Sequence, residues 1–109
     1  MLTEHEFRDR CDDAMAELER ALIAAAERHD LEADLSDGAL KIEFEDPPAK
    51  FVVSPNSPVR QIWVSANLQS FKLDWNEQAS AFVHTESGRT LKALVADAIS
   101  RQLGEEVTL

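Results

Sequence analysis

Pro58-Val59-Arg60-Gln61-Ile62-Trp63-Val64-Ser65 is the stretch on which the fold turns. A proline-stopped loop opens into a run with period-two alternation. Ile62 and Val64 point one way, and Gln61, Trp63 and Ser65 point the other. Such alternation predicts a strand with one buried and one open face. With Ile62 and Val64 in a core, a tryptophan stands on the open side between two polar neighbours, an odd place for an aromatic unless something binds there. The pattern alone also allows Trp63 to turn inward, as most tryptophans do. Its flanking Ile62 and Val64 favour the open face.

Upstream, Ser54-Pro55-Asn56-Ser57-Pro58 reads as a stiff loop, because two prolines fix two φ angles. Phe51-Val52-Val53 reads as a short third strand. Leu40, Ile42 and Phe44 alternate with Lys41, Glu43 and Glu45 as a second strand, stopped by Asp46-Pro47-Pro48. Asp37-Gly38 is a tight-turn signal. Residues 31–35 alternate as a first strand with Glu32 and Asp34 on one face. Charges there suit an edge, where they discourage sheet-to-sheet aggregation. Downstream, residues 71–75 and 79–84 read as strands five and six. Trp75, with Phe71 and Leu73, is expected in the core. The link Asn76-Glu77-Gln78 lacks glycine and predicts a longer turn.

Helices bracket the strands. Over residues 3–29, Phe7, Cys11, Ala14, Leu18, Leu22 and Ala25 recur at threes and fours, with Met15 and Ala21 at the edges of the stripe. Thr3 and Glu6 have capping-box spacing. Thr90 caps a second helix running to about Gln102, and Gly104 is a good stop. The tail 105–109 lies on the surface or tucks Val107 or Leu109 between the helices. Short connections make the sheet antiparallel. The expected architecture is α+β: one domain over 1–109, a two-layer α–β sandwich with both helices on one face of about six antiparallel strands.

The 109 residues carry 21 acids against 11 bases, net −10. The excess sits wholly in residues 1–46, with 15 acids and 5 bases; residues 47–109 carry 6 of each. An acidic field repels nucleic acid and anionic membrane, and attracts cations or a basic protein surface. Cys11 is the only cysteine, so no disulfide framework or cysteine zinc cluster is expected, which fits a reducing compartment. The N-terminus does not read as a signal or transit peptide, and no stretch approaches the length of a membrane span. Cys11 falls on the apolar stripe and is expected to be an inert buried thiol. His5, His29 and His84 have no zinc spacing and are expected at the surface. No nucleophile elbow or glycine-rich phosphate loop is present, so no enzyme is expected.

The order of elements, with Asp37-Gly38-Ala39-Leu40-Lys41-Ile42-Glu43-Phe44, the stretch Pro58 to Ser65, and Ser87-Gly88 leading into Leu91 and Leu94, resembles the frataxin family in its bacterial form. Asp74-Trp75 resembles a feature of eukaryotic members. The resemblance implies an accessory protein of iron–sulfur cluster assembly in the cytoplasm, a monomer or an iron-dependent oligomer. It implies docking on cysteine desulfurase and its scaffold, with Gln61 and Trp63 on the sheet, and Asn56 and Glu17, as contact residues. It also implies weak binding of ferrous or ferric iron by carboxylates of the first helix and first strand. Glu19, Asp30, Glu32 and Asp34 match that ridge, with Asp12 and Asp13 nearer the N-terminus. The family's glycine-containing turn after the tryptophan strand is here Ala66-Asn67-Leu68-Gln69-Ser70, and its third aromatic position is Phe82. The other reading is an acidic protein-interaction module without a physiological metal role.

Overall fold

A computed structural model describes residues 2–109. Helix α1 (Glu4–Ala26) is followed by β1 (Glu32–Ser36), β2 (Ala39–Glu45), β3 (Pro48–Asn56), a 3-10 turn (Ser57–Val59), β4 (Gln61–Ala66), β5 (Gln69–Asn76), β6 (Ala81–His84), β7 (Arg89–Thr90) and α2 (Leu91–Leu103). The strands form one antiparallel sheet in sequence order, β1 to β7. The helices pack on one face of this sheet, giving the expected two layers.

The capping box forms. The Glu6 amide donates to Thr3 Oγ1 at 3.1 Å, and the Thr3 amide donates to Glu6 Oε1 at 3.0 Å. The bond from the Thr3 amide, with the Thr3 hydroxyl beside it, holds the Glu6 carboxyl below its usual range. Helix α1 stops at Ala26 rather than at residue 29. The amides of Arg28 and His29 both turn back to the Ala25 carbonyl, while the His29 ring pairs with Glu105 and Leu31 is buried. Tertiary partners on either side of the turn thus end the helix early. His29 and His84 are half-buried rather than at the surface, and His84 Nδ1 meets Ser87 Oγ at 2.7 Å.

The core joins Phe7, Cys11, Met15, Leu18 and Leu22 of α1 and Leu91, Leu94, Val95, Ala98 and Ile99 of α2 to the inward residues of the strands, among them Leu40, Ile42, Ile62, Val64 and Leu73. Phe82 meets Phe7 edge-on at 5.8 Å and Trp75 at 5.3 Å. Trp75 is half-buried at the rim of this cluster, not fully inside it. Val107 from the tail is buried.

Two prolines mislead a reader of the sequence. Pro48 opens β3 instead of ending β2, which a first strand residue permits. Pro55 lies within β3 opposite Ile62 of β4. The β2–β3 ladder ends at Leu40–Val53, so at Pro55 the strand is paired on one side only and the missing N–H breaks no ladder. Residues 54–56 are therefore strand, and the loop shrinks to the 3-10 turn. The seventh strand beyond the six expected is the two-residue β7, too short to show a period. Among the described residues no helix is long and apolar enough to cross a membrane.

Candidate functional site

With both helices on one side, the other sheet face is uncovered. Register sets its outward side chains in rows. One row runs Asn56, Gln61 and Asp74, and the next runs Ser54, Trp63 and Lys72. Ile62 and Val64 lie in the core while Trp63 is 39% exposed, which settles its orientation.

Two neighbours hold the exposed indole, and one of them is itself tied down. Its N–H donates to Gln61 Oε1 at 2.9 Å. The Gln61 amide donates to Asp74 Oδ1 at 3.1 Å, and the Thr85 hydroxyl donates to Asp74 Oδ2 at 3.4 Å. The Lys72 ammonium stands 5.1 Å over the ring. An indole only donates and a carboxylate only accepts, so the Gln61 amide has one orientation that serves both. The result is a directional chain, Trp63 to Gln61 to Asp74, across two strands. Side chains on an open face normally keep rotamer freedom; these hydrogen bonds restrict it. Asp74, Lys72 and Thr85 are additional to the contact residues expected from sequence, although Asp74 was noted there as part of Asp74-Trp75. The two-residue turn at Asn67-Leu68 fixes the register Trp63–Lys72 and Gln61–Asp74, but with leucine where glycine would mark it the sequence does not signal that turn.

Of the four expected docking residues, Asn56, Gln61 and Trp63 share this face. Glu17 does not. It lies on α1 and its carboxylate meets Lys92 Nζ of α2 at 2.6 Å. That hydrogen bond and charge hold the Glu17 carboxyl below its usual range.

The six expected metal ligands are spread over three places. Asp12, Asp13 and Glu19 lie on α1, Asp30 in the turn after it, and Glu32 and Asp34 on the edge strand β1. Glu32 faces Glu43 across the ladder, and Asp34 faces Lys41 and accepts from the Ser36 hydroxyl at 3.2 Å. Glu19 is half-buried and the other five are exposed. Among the described residues no three His, Cys, Asp or Glu side chains converge to hold a metal ion. The donors are hard oxygens of the right chemistry for iron, but they form no cage.

A two-helix layer on a sequential antiparallel meander, with a tethered tryptophan on its open face, defines a frataxin-like protein, and the chain belongs to that family: the model of the frataxin-like domain matches residues 1–105. Among its relatives is the iron-sulfur cluster assembly protein CyaY of Azotobacter vinelandii, 32% identical over 97% of this chain and 94% of the relative. The protein of the same name from Cupriavidus metallidurans is 31% identical over 99% and 96%. A solved structure of frataxin from Psychromonas ingrahamii superposes with a TM-score of 0.84, at 21% identity, over 98% of this chain and 97% of that one.

Proposed function

We propose that this chain is an accessory protein of iron–sulfur cluster assembly that works by contact, docking its open sheet face on a cysteine desulfurase and its scaffold in the cytoplasm. The relatives bear the assembly role in their names. The single observation that carries the docking face is the exposed Trp63 tethered through Gln61 to Asp74. A folded chain has no use of its own for a network that immobilises an indole in solvent. Gln61, Trp63 and Asn56 are the contact residues on this reading, with Glu17 at the side. Iron is cargo held weakly by Glu19, Asp30, Glu32 and Asp34, with Asp12 and Asp13 beyond them. The chain performs no turnover.

Trp63→Ala tests the face. Titrated against the purified desulfurase and scaffold, the variant binds at least ~10-fold more weakly, and its unfolding free energy falls by only about 1–2 kcal/mol, the share of a partly covered indole with one hydrogen bond and one cation–π contact. A stability loss of several kcal/mol would instead mark Trp63 as a packing residue.

The scatter of the carboxylates favours one other reading, a protein-interaction module without a physiological metal role. Ferrous iron titrated while amide NMR is recorded separates the two. Localised changes near Glu19, Glu32 and Asp34 support weak iron binding, and their absence up to millimolar iron supports the module.

A further inference from the structure

The β4–β5 hairpin closes on two residues, Asn67 and Leu68, between the paired Ala66 and Gln69. Both have positive φ, 53° and 64°. This turn matches the twist of the strands it joins, and its second position strongly prefers glycine. A leucine there crowds its own Cβ in the left-handed region. Leu68 is also 106% exposed, the most exposed large apolar side chain among the described residues. Folding gains nothing from it, since it buries no surface and strains the backbone beneath it.

The base of this tip is firm. Ala66 is buried, and the Asn67 side-chain amide donates to the Ala98 carbonyl of α2 at 3.4 Å. The hairpin is also neutral. Residues 61–76 hold two charged side chains, Lys72 and Asp74, in a chain that is 29% charged. Apolar anchors set among uncharged polar groups are the composition of an interface core. The same arm carries Trp63, five residues before Leu68, roughly 16 Å away at strand rise.

We propose that Leu68 is a second anchor of the docking face, seated in an apolar cleft of the partner roughly 16 Å from the pocket that takes the Trp63 indole. This rests on the reading that the face docks on the desulfurase and its scaffold. A second copy of the chain is the poorer occupant, because two molecules of net charge −10 repel.

The test uses the full chain as wild type, Leu68→Gly, Leu68→Met and Trp63→Ala, each melted and each titrated against the co-purified desulfurase and scaffold of the same organism. Leu68→Gly melts roughly 4 °C higher, because glycine relieves the turn, yet binds at least ~10-fold more weakly. Leu68→Met binds within about 3-fold of wild type, because it keeps an apolar anchor of similar volume. Full affinity in Leu68→Gly overturns the proposal; if Trp63→Ala is weakened in the same series, the docking face itself stands. Affinity in Leu68→Met as poor as in Leu68→Gly overturns it as well. So does a wild-type dimer in sedimentation that Leu68→Gly abolishes without changing partner affinity, which would assign the tip to a second copy. Failure of the wild type to bind overturns the proposal together with the reading beneath it.

Discussion

Cys11 is 3% exposed among α1 core residues, and burial pushes its thiol from an ordinary 9.0 up to about 12. Folding thus favours the protonated thiol. The contribution is complete below about pH 9 and is lost as pH rises towards about 12. Across that window stability falls by about 1.4 kcal/mol per pH unit from this group alone. Urea unfolding between pH 8 and 11 reads the slope, and Cys11→Ala lacks this part of it. A slope equal in both proteins would show that the thiol titrates alike folded and unfolded. The native thiol is also inert to disulfide reagents at pH 8, where it is protonated. This residue was legible from sequence because its place on the helical stripe decides its burial. Asp74 was not: alternation puts it outward, but its bond to Gln61 depends on the register of two strands, and the turn that sets that register has leucine where glycine signals it.

Strand β1 is one edge of the sheet, and its outward charges have two physical roles that pull apart. Carboxylates protect an edge from pairing with other chains. But Glu32 stands directly opposite Glu43, and like charges across a ladder repel, whereas Asp34 opposite Lys41 attracts. Glu32→Lys reverses the first pair. The expected outcome at low salt is a melting temperature higher by roughly 2–4 °C, an advantage that shrinks as salt screens the pair. A melting temperature unchanged at 10 mM salt would mean that the Glu32 and Glu43 side chains diverge in solution. Elements such as β1, β2 and α1 were readable because period and cap are local properties. Strand β3 was not read at full length, since Pro55 signals a loop locally and is tolerated only because the β2 ladder has already ended.

At the scale of the molecule, the order helix, meander, helix was legible, and so was the side of the sheet left open, because every strand alternates in step with Ile62 and Val64. What lay beyond sequence was closure: which of Val107 and Leu109 tucks inward, and what fastens it. Gly104 ends α2 in the left-handed region at φ 69° and turns the chain back. Ser100 then accepts the Val107 amide at 2.9 Å while its own hydroxyl donates to the Ala96 carbonyl at 2.8 Å. Val107 is 3% exposed in the core cluster, Leu109 packs against that cluster, and Glu105 pairs with His29 beyond the end of α1. The tail therefore closes the rim between the two helices. Ending the chain at Gly104 removes one fully buried valine and part of a leucine, a loss of about 2–4 kcal/mol in urea unfolding, or a melting temperature lower by at least ~8 °C. His29→Gln, which removes the imidazole from Glu105 but keeps a polar side chain at the turn, costs less than the truncation, by about 1–2 kcal/mol. If His29→Gln proved as damaging as the truncation, the tail would be held by the His29–Glu105 contact rather than by apolar burial. A truncated chain as stable as the full one would show that the tail covers nothing the core needs.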